Sequence, residues 1–386
     1  MSEGMIVRRG GGSRSSAASQ GVLPNEINFY DYDGSLLYSF AIYEMQDMDE
    51  LPEGPDHTDD GLIFDGWNWT LEQLQEVTMP TDVGALYDTT PYTFTYNSTE
   101  MTLSSPAVVK FYTTSVGAVT VYYNATGVTY WQIDNRTVVK QSSSGNISLT
   151  WNTSNSTGSD WVPTVGYHVF RIIPAEGVTI TLGQTNNKLF NSYSSHHVFE
   201  VACGKKCTGF GSQCFYGAEY ISRIASPNPA SFSMPTQTFY NPYTPFVFIV
   251  PTNITAASLS NANRFVWNGN YRQFIVFPKL PSGVTNMSVS SMSLGRNSNR
   301  IIVLDVASLA IDSALSHTDR NIHKVYFHSM TCPTFNSTSI NSIAKFLGND
   351  STYPANDLIV YYPVGATGYS KSVIGVGNIK LQEYTP

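Results

Sequence analysis

The sequence predicts a mainly β chain in three parts: an N-terminal hairpin and short-helix module, a β-sandwich, and a solenoid of strand-bearing repeats. Three observations carry this. Charged residues are only 13% of the 386, about half the usual share. Ser, Thr, Asn, Gly and Tyr take their place, a mix suited to exposed strands and turns and poor for surface helices. Short runs rich in Val, Ile, Thr, Tyr and Phe recur between Gly, Asn, Ser and Pro clusters. In the last 200 residues, apolar runs starting at Phe274, Ile301, Val325 and Leu358 have the loose period of a solenoid that adds one strand per repeat. The length exceeds what one core organises, so two or three domains are expected.

Residues 1–20 are Gly/Ser-rich and basic, a tail expected to be flexible until a partner orders it. Residues 21–88 form an acidic module. Its segment 27–43 reads as strand, turn, strand, with Asp33-Gly34 as the hairpin signal between two aromatic runs. An acidic, Pro-punctuated loop follows through Asp60. Thr70 then stands ready to cap a short helix, with Gln73 at the capping-box position and Pro80 as the stop. Residues 89–187 carry strands at Tyr92–Tyr96, Val108–Tyr112, Val119–Tyr123, Ile147–Trp151 and His168–Ile173, spaced as in a sandwich of immunoglobulin type. Residues 188–386 are the solenoid.

The charges are segregated. Arg8, Arg9 and Arg14 are the last cations before Lys110, and the 17 acids between residues 15 and 109 face no Lys or Arg. From Lys110 on, 18 cations outnumber 11 acids. One reading is a solvated acidic surface; the other is electrostatic docking, with the arginine tip and acidic collar against a partner and the basic remainder outward. Nucleic-acid binding is not expected, because no element clusters Lys/Arg with aromatics. No apolar run approaches membrane-spanning length, and the N-terminus lacks the apolar core of an export signal.

Catalytic patterns are weak. Asp31-Tyr-Asp33-Gly mimics the Asp-x-Asp-Gly loop of haloacid-dehalogenase phosphatases, yet no βαβ pattern exists and no Lys or Arg follows until Lys110, so it reads as a hairpin turn. His196-His197 alternate faces and cannot both enter one site in regular β-structure. The acids from Asp47 to Asp60 offer oxygens to Ca²⁺ without EF-hand spacing, and a solvated loop is the favoured reading. Cys203, Cys207, Cys214 and Cys332 lack paired zinc spacing and read as buried thiols. The eleven Asn-x-Ser/Thr sequons mark polar exposed strands and not glycosylation. No cofactor or metal is expected, and a glycan-cleaving enzyme is disfavoured because acids such as Asp305, Asp312 and Asp319 are spread out. Aromatic residues make up 13%; most of Trp131, Trp151, Trp161 and Trp267 are expected in the core, with Trp131, Trp151 and Trp267 the candidates for stacking on sugars.

Three segments resemble parts of one modular group. Tyr30-Asp-Tyr-Asp-Gly34, Leu51-Pro-Glu-Gly-Pro, Gly66-Trp-Asn-Trp-Thr-Leu and Asp82-Val-Gly-Ala-Leu-Tyr resemble an N-terminal module of phage tail or fibre-like proteins and of surface proteins of gut bacteria. Val119 through Ile173 is similar to a PKD-like sandwich, with Tyr122-Tyr-Asn-Ala-Thr-Gly in place of the usual Asp-Trp-Gly-Asp-Gly turn. Glu200 through Gly217, Leu280-Pro-Ser-Gly-Val-Thr and Leu358-Ile-Val-Tyr-Tyr-Pro-Val resemble degenerate BspA-like leucine-rich repeats. The resemblance implies a non-enzymatic virion protein, a head fibre, capsid decoration or tail fibre. It would be made in the host cytoplasm and exposed on the released particle. Arg8, Arg9 and Arg14 would dock it on other virion proteins, it would assemble as a homo-oligomer, and the repeats would meet host or mucus glycans. A secreted bacterial adhesin is the alternative.

Overall fold

The computed structural model describes residues 26–77, 81–151, 164–185, 187–235, 238–240, 246–255, 273–276, 278–279, 301–304, 324–327, 330–332, 359–370 and 380–384. Among the described residues the fold is mainly β, 50% strand and 6% helix, in several sheets of which none closes.

In the N-terminal module β1 (Glu26–Tyr30) and β2 (Leu36–Ala41) pair antiparallel around the expected turn. Gly34 takes φ +86°, and its N–H donates to Asp31 O at 3.0 Å. A short helix α1 (Ile42–Gln46), strand β3 (Leu62–Trp67), helix α2 (Leu71–Gln75) and strand β4 (Thr81–Thr89) follow. The α2 cap is the expected capping box: Thr70 Oγ1 accepts from Gln73 N, and Gln73 Oε1 accepts from Thr70 N. The sheet order is β2-β1-β4-β3, with β1 and β4 parallel. Val83-Gly-Ala-Leu-Tyr87 is buried on both faces because β4 is internal here and also lies against the rest of the chain.

A hairpin of β5 (Tyr92–Tyr96) and β6 (Thr99–Leu103) leads into β7 (Ala107–Thr113), β8 (Val119–Ala125), β9 (Thr129–Ile133), β10 (Val139–Gln141), β11 (Gly145–Trp151), β12 (Gly166–Pro174), β13 (Ile180–Leu182), β14 (His196–Ala202) and β15 (Cys207–Phe210). Next come β16 (Phe215–Tyr216), β17 (Arg223–Ala225), β18 (Phe239–Tyr240), β19 (Phe246–Ile249) and β20 (Gln273–Val276). The last four are β21 (Ile301–Leu304), β22 (Lys324–Phe327), β23 (Ile359–Pro363) and β24 (Lys380–Tyr384).

The long sheet runs β10-β9-β12-β7-β14-β17-β19-β20. It is antiparallel as far as β14 and parallel beyond. A second sheet, β11-β8-β13-β15, shares its core: Val109, Phe111, Phe170 and Ile172 pack with Val121, Tyr123, Leu149 and Leu182. Because β7 pairs with β12 on one side and β14 on the other, the long sheet and its core take strands from both sides of residue 188. The apolar runs at Phe274, Ile301, Val325 and Leu358 fall on or beside β20 to β23, and β21 to β24 form an all-parallel sheet.

The N-terminal module is seated on the long sheet by polar as well as apolar contacts. Asn68, fully buried, accepts from Gly84 N at 2.8 Å and donates to Val250 O and Val276 O at 3.2 Å each. It heads the sequon Asn68-Trp-Thr70, so that sequon is occupied by the fold. The opposed charge zones meet here: Lys205 pairs with Asp65, the Lys205 N–H donates to Asp88, and Lys279 pairs with Glu76. Part of the acidity expected to face a partner therefore faces the chain's own basic half.

Candidate functional site

The register of the long sheet sorts its outer face into rows. In β7 the side chains of Val109, Phe111 and Thr113 enter the core, so Val108, Lys110 and Tyr112 point outward. In β12 His168, Phe170 and Ile172 are inward, and Tyr167, Val169 and Arg171 outward. A bulge between Val198 and Glu200 adds Phe199 to β14 and brings Glu200 opposite Lys110.

The first row is Tyr167, Tyr112 and His197, directly paired across three strands. Tyr112 and Tyr167 meet edge to face at 4.9 Å, and Phe199 approaches Tyr167 at 5.7 Å. His197 stacks on Tyr220 at 4.0 Å and its Nε2 donates to Ser194 O. Tyr167 is 76% exposed and Tyr220 44%. Large aromatic rings held in fixed mutual contact yet open to water are unusual for a sheet whose inner face is this well packed.

The second row is Val169, Lys110, Glu200 and Arg223. The buried Glu200 carboxylate takes Lys110 Nζ at 2.6 Å on one oxygen and Arg223 at 2.6 and 2.8 Å on the other. Both cations stay about one third exposed, at 33% and 37%. The Arg223 guanidinium also lies over the Tyr32 ring at 5.4 Å, and burial, opposed by that charge, pushes the Tyr32 phenol up to about 12. The third row, Arg171, Val108, Ala202 and Ala225, is covered. Val108, Ala202 and Ala225 join the N-terminal core, and Arg171 lies over Tyr92 of the β5–β6 hairpin at 4.8 Å. One sheet face thus passes from covered, through ionic, to open and aromatic.

The residues singled out from sequence lie elsewhere. Trp151 is 4% exposed and packs edge to face on Phe170 at 5.1 Å; it serves the core and offers no face to a sugar. Trp131 is half-buried against Trp151. Trp161, Trp267, Arg8, Arg9 and Arg14 lie outside the described residues. The Asp31 carboxylate is buried and engaged by Tyr87 Oη, Tyr32 N and His57 Nε2, each at 2.7 Å, while Asp33 accepts from Ser35 N. Both acids of the phosphatase-like loop are thus engaged in holding the turn and its neighbours. In the acidic loop, hydrogen bonds from Thr58 N and Oγ1 hold the Asp56 carboxyl below its ordinary value. All four cysteines are free and buried. Among the described residues no three His, Cys, Asp or Glu side chains form a group able to hold a metal, and no helix is long and apolar enough to cross a membrane.

His196 and His197 do face opposite ways. Burial lowers the His196 pKa, aided by His197 and His168, against a backbone hydrogen bond involving Ala118 that raises it. Since folding favours the neutral ring, the unfolded chain binds more protons. Stability is therefore full above the ordinary value of 6.5 and falls as pH drops below it toward the folded value. Melting curves of the wild type and His196→Gln between pH 7.5 and 5 are expected to show a smaller acid loss in the variant. Parallel losses would mean that other groups carry the pH dependence.

Sequence reasoning missed Tyr112, Tyr167, Phe199 and Tyr220. The alternation around His168 already places Tyr167 outward, but nothing local marks which strands bring Tyr112 and His197 beside it. Comparison with known protein families, with curated proteins and with solved structures gives no match.

Proposed function

We propose that the chain is an exposed structural and adhesive component of a bacteriophage particle, a head fibre, capsid decoration or tail fibre. The observation that supports this reading is the open aromatic row: a sheet covered at one end by the chain's own N-terminal module presents fixed tyrosine rings at the other. Such a face suits attachment, because rigid aromatic side chains give contact area at low entropic cost. In this reading Arg8, Arg9 and Arg14 contact other virion proteins, residues 89–187 are a sandwich of immunoglobulin or PKD type that carries Tyr112 and Tyr167 of the open row, and residues 188–386 are a degenerate leucine-rich-repeat-like solenoid. The chain assembles as a homo-oligomer, as fibres and decorations do. It acts by binding and not by catalysis.

Gold-conjugated antibody against residues 280–386, applied to induced cultures of the source organism, tests the location. Gold on heads or tails of released particles is the expected result. Gold confined to the cell envelope would replace this reading with that of a bacterial surface adhesin.

A further inference from the structure

We propose that the aromatic row and the ionic row beside it form a binding site for an acidic saccharide, with a pyranose ring against Tyr167 and Tyr112 and its carboxylate toward Lys110 and Arg223. The proposal rests on the attachment reading above and names the ligand class for that face.

Geometry supplies the first argument. The rows lie two residues apart along the strands, about 7 Å, and neighbouring strands are about 4.8 Å apart. One sugar ring stacked on the tyrosines can thus reach Lys110 with its carboxylate, and the Lys110 and Arg223 heads converge on the two oxygens of Glu200. Tyrosine suits the ring face of a pyranose, since its π-system accepts C–H contacts and its hydroxyl serves the sugar hydroxyls.

Charge supplies the second. On the open part of this face stand Lys110 and Arg223 with the carboxylate of Glu200 between them, while Arg171 lies in the covered row over Tyr92. That carboxylate is spent on Lys110 and Arg223, whose remaining N–H donors reach solvent. The other acids nearby are Glu219, exposed on the turn before Tyr220 at the His197 end of the row, and Asp33 of the N-terminal module, which acts on Arg223 from the opposite end. Lys110, which shares β7 with Tyr112 and pairs only with Glu200 among the ion pairs described, is the cation that complements a carboxylated sugar and gives a neutral one no added attraction. The site also borders the seam with the N-terminal module, through Tyr32 under Arg223, so its cations are held in place before ligand arrives.

The test uses the full chain on an array of sialylated, uronate-containing and matched neutral glycans, followed by calorimetry on the best binder. Expected is binding to carboxylated glycans, at least tenfold weaker when the carboxylate is reduced to the alcohol. Tyr167→Ala should lose about tenfold in affinity. At 76% exposure Tyr167 can be truncated without opening the core, and circular dichroism checks the fold. Equal affinity for acidic and neutral sugars would overturn the ligand class. Unchanged binding by Tyr167→Ala would overturn the site. No binding by a folded chain would overturn the proposal, whatever gold labelling says of particle location. Dimers in light scattering that Tyr167→Ala dissolves would assign the row to a second copy of the chain instead.

Discussion

Replacing Asn68 by Ala is expected to destabilise the chain by about 3 to 5 kcal/mol, because it strands buried backbone groups that no water can reach. The Asn68 amide bridges three places far apart in sequence: Gly84 N on β4, Val250 O just after β19, and Val276 O at the end of β20. With the amide gone, Gly84 N–H and Val250 O lose this partner in the interior, while Val276 O keeps the Val250 N–H at 2.9 Å. Asn68→Asp separates the two halves of the bridge. One carboxylate oxygen can still accept from Gly84 N–H, but the other confronts two carbonyl oxygens. Folding therefore favours the protonated acid and raises its folded pKa above the unfolded value, so the penalty is greatest at neutral pH and relaxes as pH falls. Urea midpoints of the wild type and both variants at pH 7 and pH 4.5 read this out. An Asn68→Asp variant whose deficit is the same at both pH values would contradict the bridge.

Asn68 also shows what the sequence makes legible and what it does not. Read locally, it is a polar residue in a sequon ahead of a helix cap, and the cap itself, Thr70 with Gln73, is found as read because every atom of it lies within four residues. The Asp33-Gly34 turn was legible for the same reason. So was the burial of Trp151, since Ile147, Leu149 and Trp151 alternate with polar residues along β11 and share its inner face. Its candidacy for sugar contact weighed residue type over that alternation. The seam beneath Asn68, by contrast, joins residues 182 and 208 positions apart, and no periodicity encodes which strand ends meet there. The open row has the same origin: Tyr167 and His197 flank Tyr112 only because β7 sits between β12 and β14. Alternation fixes the face of each strand; the order of strands fixes the site.

Where β15 passes close to Ser233 the chain depends on a glycine, and Gly209→Ala is expected to cost about 3 to 5 kcal/mol through combined backbone strain and overpacking. Gly209 on β15 holds φ +151° and faces Ser233 across a parallel bridge. A methyl group there would lie 2.2 Å from Ser233 O and 2.9 Å from Ser233 N, which are backbone atoms that cannot swing aside as a side chain could. The contact could be relieved only by parting the segments, and that breaks two hydrogen bonds of 2.9 Å, Phe210 N to Ser233 O and Ser233 N to Thr208 O. It would also loosen Phe210, which packs edge to face on Phe215 and Phe232 at the centre of this core. Gly145 is the matching control, with φ +86° and nothing within 4 Å of an added methyl. Gly145→Ala therefore bears the backbone strain alone, about 1 kcal/mol. Thermal melts of the two variants side by side separate the causes. A Gly209→Ala loss no greater than that of Gly145→Ala would mean the β15 segment yields freely, and that the close approach to Ser233 does not hold this part of the core together.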